Sequence, residues 1–269
     1  MAGHAHNLRA QSGRDRPFGV ITRGTTGVNR LRRSDRWTRF HPDVQALLRS
    51  VPEPLALDVG YGASHTTTVE WAGWLRQINP RVEVVGLEIH PDRVLPSRDG
   101  VRFQLGGFEL AGYRPHVVRA FNVLRQYDVA DVPAVWETVT SRLAPGGLFI
   151  EGTCDELGRR AAWVLLGQDG PRTLTLAWDP EDASRPSDVA ERLPKALIHK
   201  NVPGEKIHAL LAAADEAWER AAGWAPHGPR VRWRCAHEDL VARGWPLNPV
   251  RRRLRDNTLT IGWVHVADV

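Results

Sequence analysis

The residues best suited to chemistry are an acid, two glycines and a second acid, Asp58-Val59-Gly60-Tyr61-Gly62 followed by Glu88. A glycine turn lets a ligand come close to the backbone, because no Cβ stands in the way. An acid about one strand–helix–strand further on can accept both hydrogen bonds from a ribose diol. That order of residue types predicts a nucleotide-like ligand lying across the carboxyl ends of parallel strands. The alternative is a tight turn beside a surface glutamate.

A second cluster lies upstream, Arg23-Gly24-Thr25-Thr26-Gly27-Val28-Asn29-Arg30-Leu31-Arg32-Arg33. Hydroxyls between glycines, then an amide and arginines, suit an oxyanion, since guanidinium makes paired hydrogen bonds to phosphate or carboxylate. Arg23, Thr25, Thr26, Asn29 and Arg30 are therefore the candidate substrate residues. The competing reading is a surface helix capped by Thr26. Cys154 follows an apolar run, but a lone cysteine there reads mainly as packing. Cys235-Ala236-His237 lacks zinc-ligand spacing, so no metal is expected. His199, Lys195 and Asn201 read as a solvated loop.

The elements that must position these residues follow from periodicity. Short apolar runs predict strands at 55–59, 82–87, 101–105, 116–122, 148–150, 172–178 and 259–266. Helical spacing predicts helices over 43–51, 67–78, 131–143, 159–166, 207–222 and 237–243. Strands alternating with helices imply an α/β fold, a Rossmann-like, seven-stranded, mostly parallel sheet with helices on both faces. Residues 1–40 are expected to form a basic arm and 41–269 one domain, with a helical insertion or cap at about 180–256.

The region 54–154 resembles class I S-adenosylmethionine-dependent methyltransferases of an actinobacterial type. Asp58-Val59-Gly60-Tyr61-Gly62 is similar to that family's first motif, and Val85-Gly86-Leu87-Glu88-Ile89-His90-Pro91 to its second. Gly106-Gly107-Phe108-Glu109, Arg119-Ala120-Phe121-Asn122 and Leu143-Ala144-Pro145-Gly146-Gly147 match its later strands and turns. The resemblance implies S-adenosylmethionine as cofactor, held by Asp58, Gly60, Tyr61, Gly62, Glu88, Ile89, Gly107 and Phe108. It places Asn122 and Arg119 beside the transferable methyl group as the catalytic candidates. The exocyclic-amine methylases of that family carry Asn/Asp-Pro-Pro-aromatic, where this chain has Asn122-Val123-Leu124-Arg125. His65 stands at the third glycine of a dinucleotide fingerprint, which argues against an NAD-linked enzyme.

Composition narrows the partners. The chain has 269 residues, 42% hydrophobic and 25% charged, which suits a folded protein with a substantial core. It has no apolar stretch of membrane-spanning length, and two cysteines are consistent with a reducing cytoplasm. Residues 1–40 carry nine arginines against two aspartates, and residues 230–255 eight arginines against Glu238 and Asp239. Two basic segments flanking the expected mouth point to RNA or another phosphate-bearing acceptor. A small-molecule acceptor is the alternative, and a non-catalytic RNA-binding or scaffold protein on the same fold is a third reading.

Overall fold

The computed structural model describes residue 19, residues 26–249 and residues 256–268. Its centre is one eight-stranded sheet in the order β3-β2-β1-β4-β5-β6-β7-β8. The strands are β1 (Leu55–Val59), β2 (Glu83–Glu88), β3 (Val101–Leu105), β4 (Val117–Phe121), β5 (Leu148–Cys154), β6 (Arg160–Gly167), β7 (Gly170–Trp178) and β8 (Asn257–Gly262). β1 to β5 are parallel, and β6, β7 and β8 continue as an antiparallel meander. β1, β4 and β5 are buried on both faces, which explains their unbroken apolar runs.

The helices are α1 (Arg32–Phe40), α2 (Pro42–Ser50), α3 (Thr66–Arg76), α4 (Val132–Thr140), α5 (Lys195–Ile198), α6 (Lys206–Arg220) and α7 (Pro229–Ala242). Helices cover both faces of the sheet. One face packs Leu57, Val85, Val118 and Phe149 with α4, α6 and α7, and the other packs Ala56, Val84, Val117 and Ile150 with α1, α2 and α3. α5, α6 and α7 are all supplied by the connection between β7 and β8, which is the helical insertion.

Three expectations change. The sheet has eight strands, because residues 160–167 form β6 and not a helix. A fully buried apolar run does not distinguish strand from helix by periodicity, and here pairing with β5 and β7 decides. The sequence cue was Asp169-Gly170, a hairpin signal, with Gly170 at φ +106. The second change concerns residues 32–40, which form α1 within the domain: Arg33, Ser34, Asp35, Trp37 and Thr38 are buried, and Trp37 lies edge-on to Trp163. Finally, α7 begins eight residues before the expected helix at 237, at Pro229, where proline suits a first turn.

Candidate functional site

β1, β2 and β3 run to one side of the sheet and β4, β5 to the other, so the chain reverses between β1 and β4. Ligands of doubly wound sheets bind in the crevice at such a point, beyond the carboxyl ends of the strands. A narrow cleft with about 20 Å³ of free space is found there. It is lined by Gly19, Val59, Gly60, Glu88, Ile89, Gly106, Gly107, Phe108, Val123 and Tyr127.

The β1 turn is built by glycine. Gly60 has φ +72, its N–H donates to the Leu87 carbonyl at 2.8 Å, and a Cβ there would stand 2.6 Å from Val123 Cγ2. Gly62, at φ +81, donates its N–H to Glu88 Oε2 at 3.0 Å. Glu88 Oε1 accepts from the N–H of Ile89 at 3.0 Å and of His90 at 3.2 Å. The Glu88 carboxylate is thus buried and oriented by three backbone donors, and its two oxygens together offer more lone-pair sites than these use. Phe108 and Tyr127 meet edge to face, with ring centroids 5.8 Å apart, and give the cleft an apolar lining.

Five of the expected cofactor residues, Gly60, Glu88, Ile89, Gly107 and Phe108, line this cleft. Gly62 stands behind it, bonded to Glu88. Asp58, Tyr61 and Arg119 do not line it; for Asp58 and Arg119 the reason is parity, since alternate strand residues face opposite sides of the sheet. Leu57, Val59, Val118 and Ala120 belong to the face that packs with Phe108, Val123 and Tyr127. Asp58 and Arg119 therefore point to the α1–α3 face. There Arg119 Nη1 donates to Asp35 Oδ1 at 2.6 Å, Nη2 to Asp58 Oδ2 at 2.5 Å and Nε to Asp58 Oδ1 at 3.0 Å. Asp58 Oδ2 also accepts from Thr68 at 2.8 Å, and the guanidinium lies over the Trp71 ring at 4.5 Å. Arg119, expected beside the methyl group, is instead the buried centre of an ion triad. Burial pushes the Asp35 carboxyl up to about 7, against the opposing pull of Arg119. Tyr61 also lies on that face. Its hydroxyl donates to the Arg93 carbonyl at 2.9 Å and accepts from Leu95 N–H at 3.1 Å, and burial pushes its pKa up to about 12.

Asn122 directly follows β4 with φ +62, a left-handed backbone unusual for a side chain with a Cβ. Its Oδ1 accepts from Cys154 N–H at 2.9 Å and its Nδ2 donates to Cys154 Sγ at 3.3 Å, which ties β4 to β5 at the rim. Cys154 is buried, and burial raises its thiol pKa, the opposite of nucleophile activation.

The N-terminal segment crosses this same rim. Thr26 Oγ1 reaches Thr67 Oγ1 at 3.5 Å, Asn29 N–H donates to Glu70 at 2.9 Å, and Arg30 Nε donates to the Asp155 carbonyl at 2.9 Å. Arg30 beside Cys154 pulls the thiol pKa down, against the larger upward effect of burial. Arg23 and Thr25 lie outside the described residues. Gly19, Val59, Val123 and Tyr127 were not expected at the cleft; for Val123 and Tyr127 the signal was their place directly after the strand-four residues.

Neither a protein-family model nor a curated protein sequence matches the chain. Among solved structures the chain is similar to a cyclopropane synthase from Mycobacterium tuberculosis, at 16% identity over 40% of each chain and a TM-score of 0.30. It is similar to human N-acetylserotonin methyltransferase in complex with SAM, at 20% identity over 49% of this chain and 36% of that one, TM-score 0.34. A third is magnesium protoporphyrin IX methyltransferase from Synechocystis with bound SAM, at 18% identity over 49% of this chain and 67% of that one, TM-score 0.32. The chain thus spans only about 40% and 36% of the length of the first two. Among the described residues no helix is long and apolar enough to cross a membrane, and no His/Cys/Asp/Glu group could hold a metal ion.

Proposed function

We propose that the protein is an S-adenosylmethionine-dependent methyltransferase. The observation that carries this reading is the cleft at the β1/β4 switch point, lined both by buried Glu88 and by the Phe108–Tyr127 pair. The chemistry of the lining suits a nucleoside: a side chain at position 60 would run into Val123, and Glu88 keeps acceptor capacity for a ribose diol. When bound, the cofactor supplies an electrophilic methyl group on a sulfonium. Glu88 would hold the ribose, and Ile89, Phe108 and Tyr127 would exclude water from the adenine ring. Asn122 holds the rim where the methyl group would emerge, and Asp58 and Arg119 set the position of the glycine turn from behind. The chain's task is then to hold donor and acceptor at attack distance.

The acceptor is better read as a small molecule than as RNA. The five arginines of the N-terminal basic segment that fall within the described residues are engaged internally: Arg30 donates to the Asp155 carbonyl and Arg32 to the Leu157 carbonyl, each at 2.9 Å. Arg33 pairs with Asp179 at 2.7 Å and with Asp256 at 3.1 Å, Arg36 with Asp256 at 2.9 Å, and Arg39 donates to Gln77 at 2.7 Å.

Calorimetric titration with S-adenosylmethionine and S-adenosylhomocysteine tests the assignment. Wild type should bind in the micromolar range, and Glu88→Gln should weaken binding at least tenfold with the fold intact by circular dichroism. A folded wild type that binds neither ligand overturns the proposal.

A further inference from the structure

Several segments meet at the rim beside Asn122. Residues 26–30 cross it, residues 122–126 leave β4, residues 153–158 leave β5, and the short helix Pro186–Arg192 comes in from the connection between β7 and β8. Hydrogen bonds tie these segments together. Arg125 Nη1 donates to the Glu191 carbonyl at 3.0 Å, and the Thr153 hydroxyl donates to the Arg192 carbonyl. Arg125 is thus anchored three residues after Asn122, against the peptide that joins Glu191 to Arg192. Arg192 in turn is held one residue before Cys154, which Asn122 bonds at 3.3 Å. On the other side of the rim, Arg32 Nη1 donates to the Asn29 and Leu157 carbonyls, each at 2.9 Å.

Both guanidinium groups are poorly matched by the protein. Arg192 is only 19% exposed, yet none of its N–H groups makes a hydrogen bond among the described residues. Its nearest carboxylates are those of two exposed residues, Glu191 at 3.5 Å and Glu156 at 3.9 Å. Glu191 also faces Arg160 at 3.5 Å. Exposed pairs at such distances are weak, so these glutamates turn away readily. The third acid, Asp155, is committed to the backbone N–H groups of Leu157, Arg159 and Arg160. Arg125 spends only Nη1 on the protein among the described residues. Burial, and next the Arg192 cation, lower the Arg125 pKa, so the two like charges oppose each other. A guanidinium withdrawn from water without hydrogen bonds is costly, and two side by side are relieved by one anion between them. Arg192 Nε is buried, so an anion meets this residue at its Nη atoms.

Val28 and Leu157 are the most exposed of the large apolar side chains among the described residues, and the Arg32 bridge sets their segments side by side. We propose that the methyl acceptor is an apolar molecule bearing a carboxylate, which Arg125 and Arg192 hold while the apolar body lies toward Leu157 and Val28. The carboxylate is a handle and not the methylated atom, because hydrogen bonds to an anion lower its basicity. The proposal rests on the methyl-donor reading, since the neighbouring Asn122 rim is what makes this an acceptor site.

The full chain is examined by saturation-transfer NMR with acetate, benzoate and phenylbutyrate, and with benzamide and phenylbutyramide, each with and without saturating S-adenosylhomocysteine. The two aryl acids should bind in the millimolar range or better, about tenfold more tightly than their amides, and acetate should bind more weakly than either. Arg125→Gln with Arg192→Gln should abolish the preference for acid over amide. Calorimetric binding of S-adenosylhomocysteine should persist in that variant and show that it is folded; if it is not, Arg125→Gln alone decides. Leu157→Ser should reduce the advantage of phenylbutyrate over acetate. A wild type that binds S-adenosylhomocysteine but neither aryl acid, equal affinity for acids and amides, or an acid preference that survives loss of the arginines would overturn this proposal alone. Arginine-dependent acid binding by a wild type that binds neither S-adenosylmethionine nor S-adenosylhomocysteine would overturn the methyl-donor reading, and the acceptor role with it.

Discussion

Replacing Glu151 by glutamine should flatten the dependence of stability on pH. Glu151 sits in β5 on the face packed with α4, α6 and α7, 1% exposed, and neither carboxyl oxygen has a partner among the described residues. Burial alone pushes its pKa from 4.5 up to about 8. The folded protein therefore keeps a proton that the unfolded chain releases, and stability falls as pH rises from 4.5 through 8. At about 1.4 kcal/mol per tenfold change in proton affinity, the full loss is about 5 kcal/mol, of which about 3 is already present at pH 7. Glutamine has nearly the same shape and does not ionise. Whatever its amide costs in that apolar site is the same at every pH. Urea denaturation of both proteins at pH 5, 7 and 9 gives the difference directly. Wild type should lose about 4 kcal/mol more than the variant between pH 5 and pH 9. Curves that stay parallel would refute the reasoning, because they would mean that Glu151 finds water or a cation in solution.

Two further substitutions test the site. Gly60→Ala forces a side chain into a left-handed position 2.6 Å from Val123 Cγ2. It should cost about 1–3 kcal/mol in thermal denaturation and weaken S-adenosylmethionine, since Val123 must move into the cleft; unchanged binding would remove Gly60 from the cradle. Arg119→Met leaves Asp35 and Asp58 facing each other without their cation and should cost about 3–5 kcal/mol at pH 8. Adding Asp35→Asn should recover part of that loss, and a single variant as stable as wild type would show that the triad contributes nothing.

The parallel half of the molecule is legible from residue order. β1 to β4 fall where the apolar runs lie, and Gly60, Glu88, Gly107 and Phe108 reach the cleft because strand ends and the turns after them carry short-range signals. Residue order carries the local features: where strands stop, where glycine is needed, and which acid closes the second strand. Tertiary structure decided the rest. β6 became a strand through pairing on both sides, which no window of eight residues records. Arg119 and Asp58 look like rim residues in sequence, but sheet parity turns them to the opposite face, and Asp35, 84 positions before Arg119, completes their triad. The basic charge of residues 30–39 reads as a polyanion surface until its partners, Asp179 and Asp256, are seen more than 140 positions away. Charge is a property of the chain, but whether a charge meets solvent or a counter-ion depends on contacts that form only when distant segments pack.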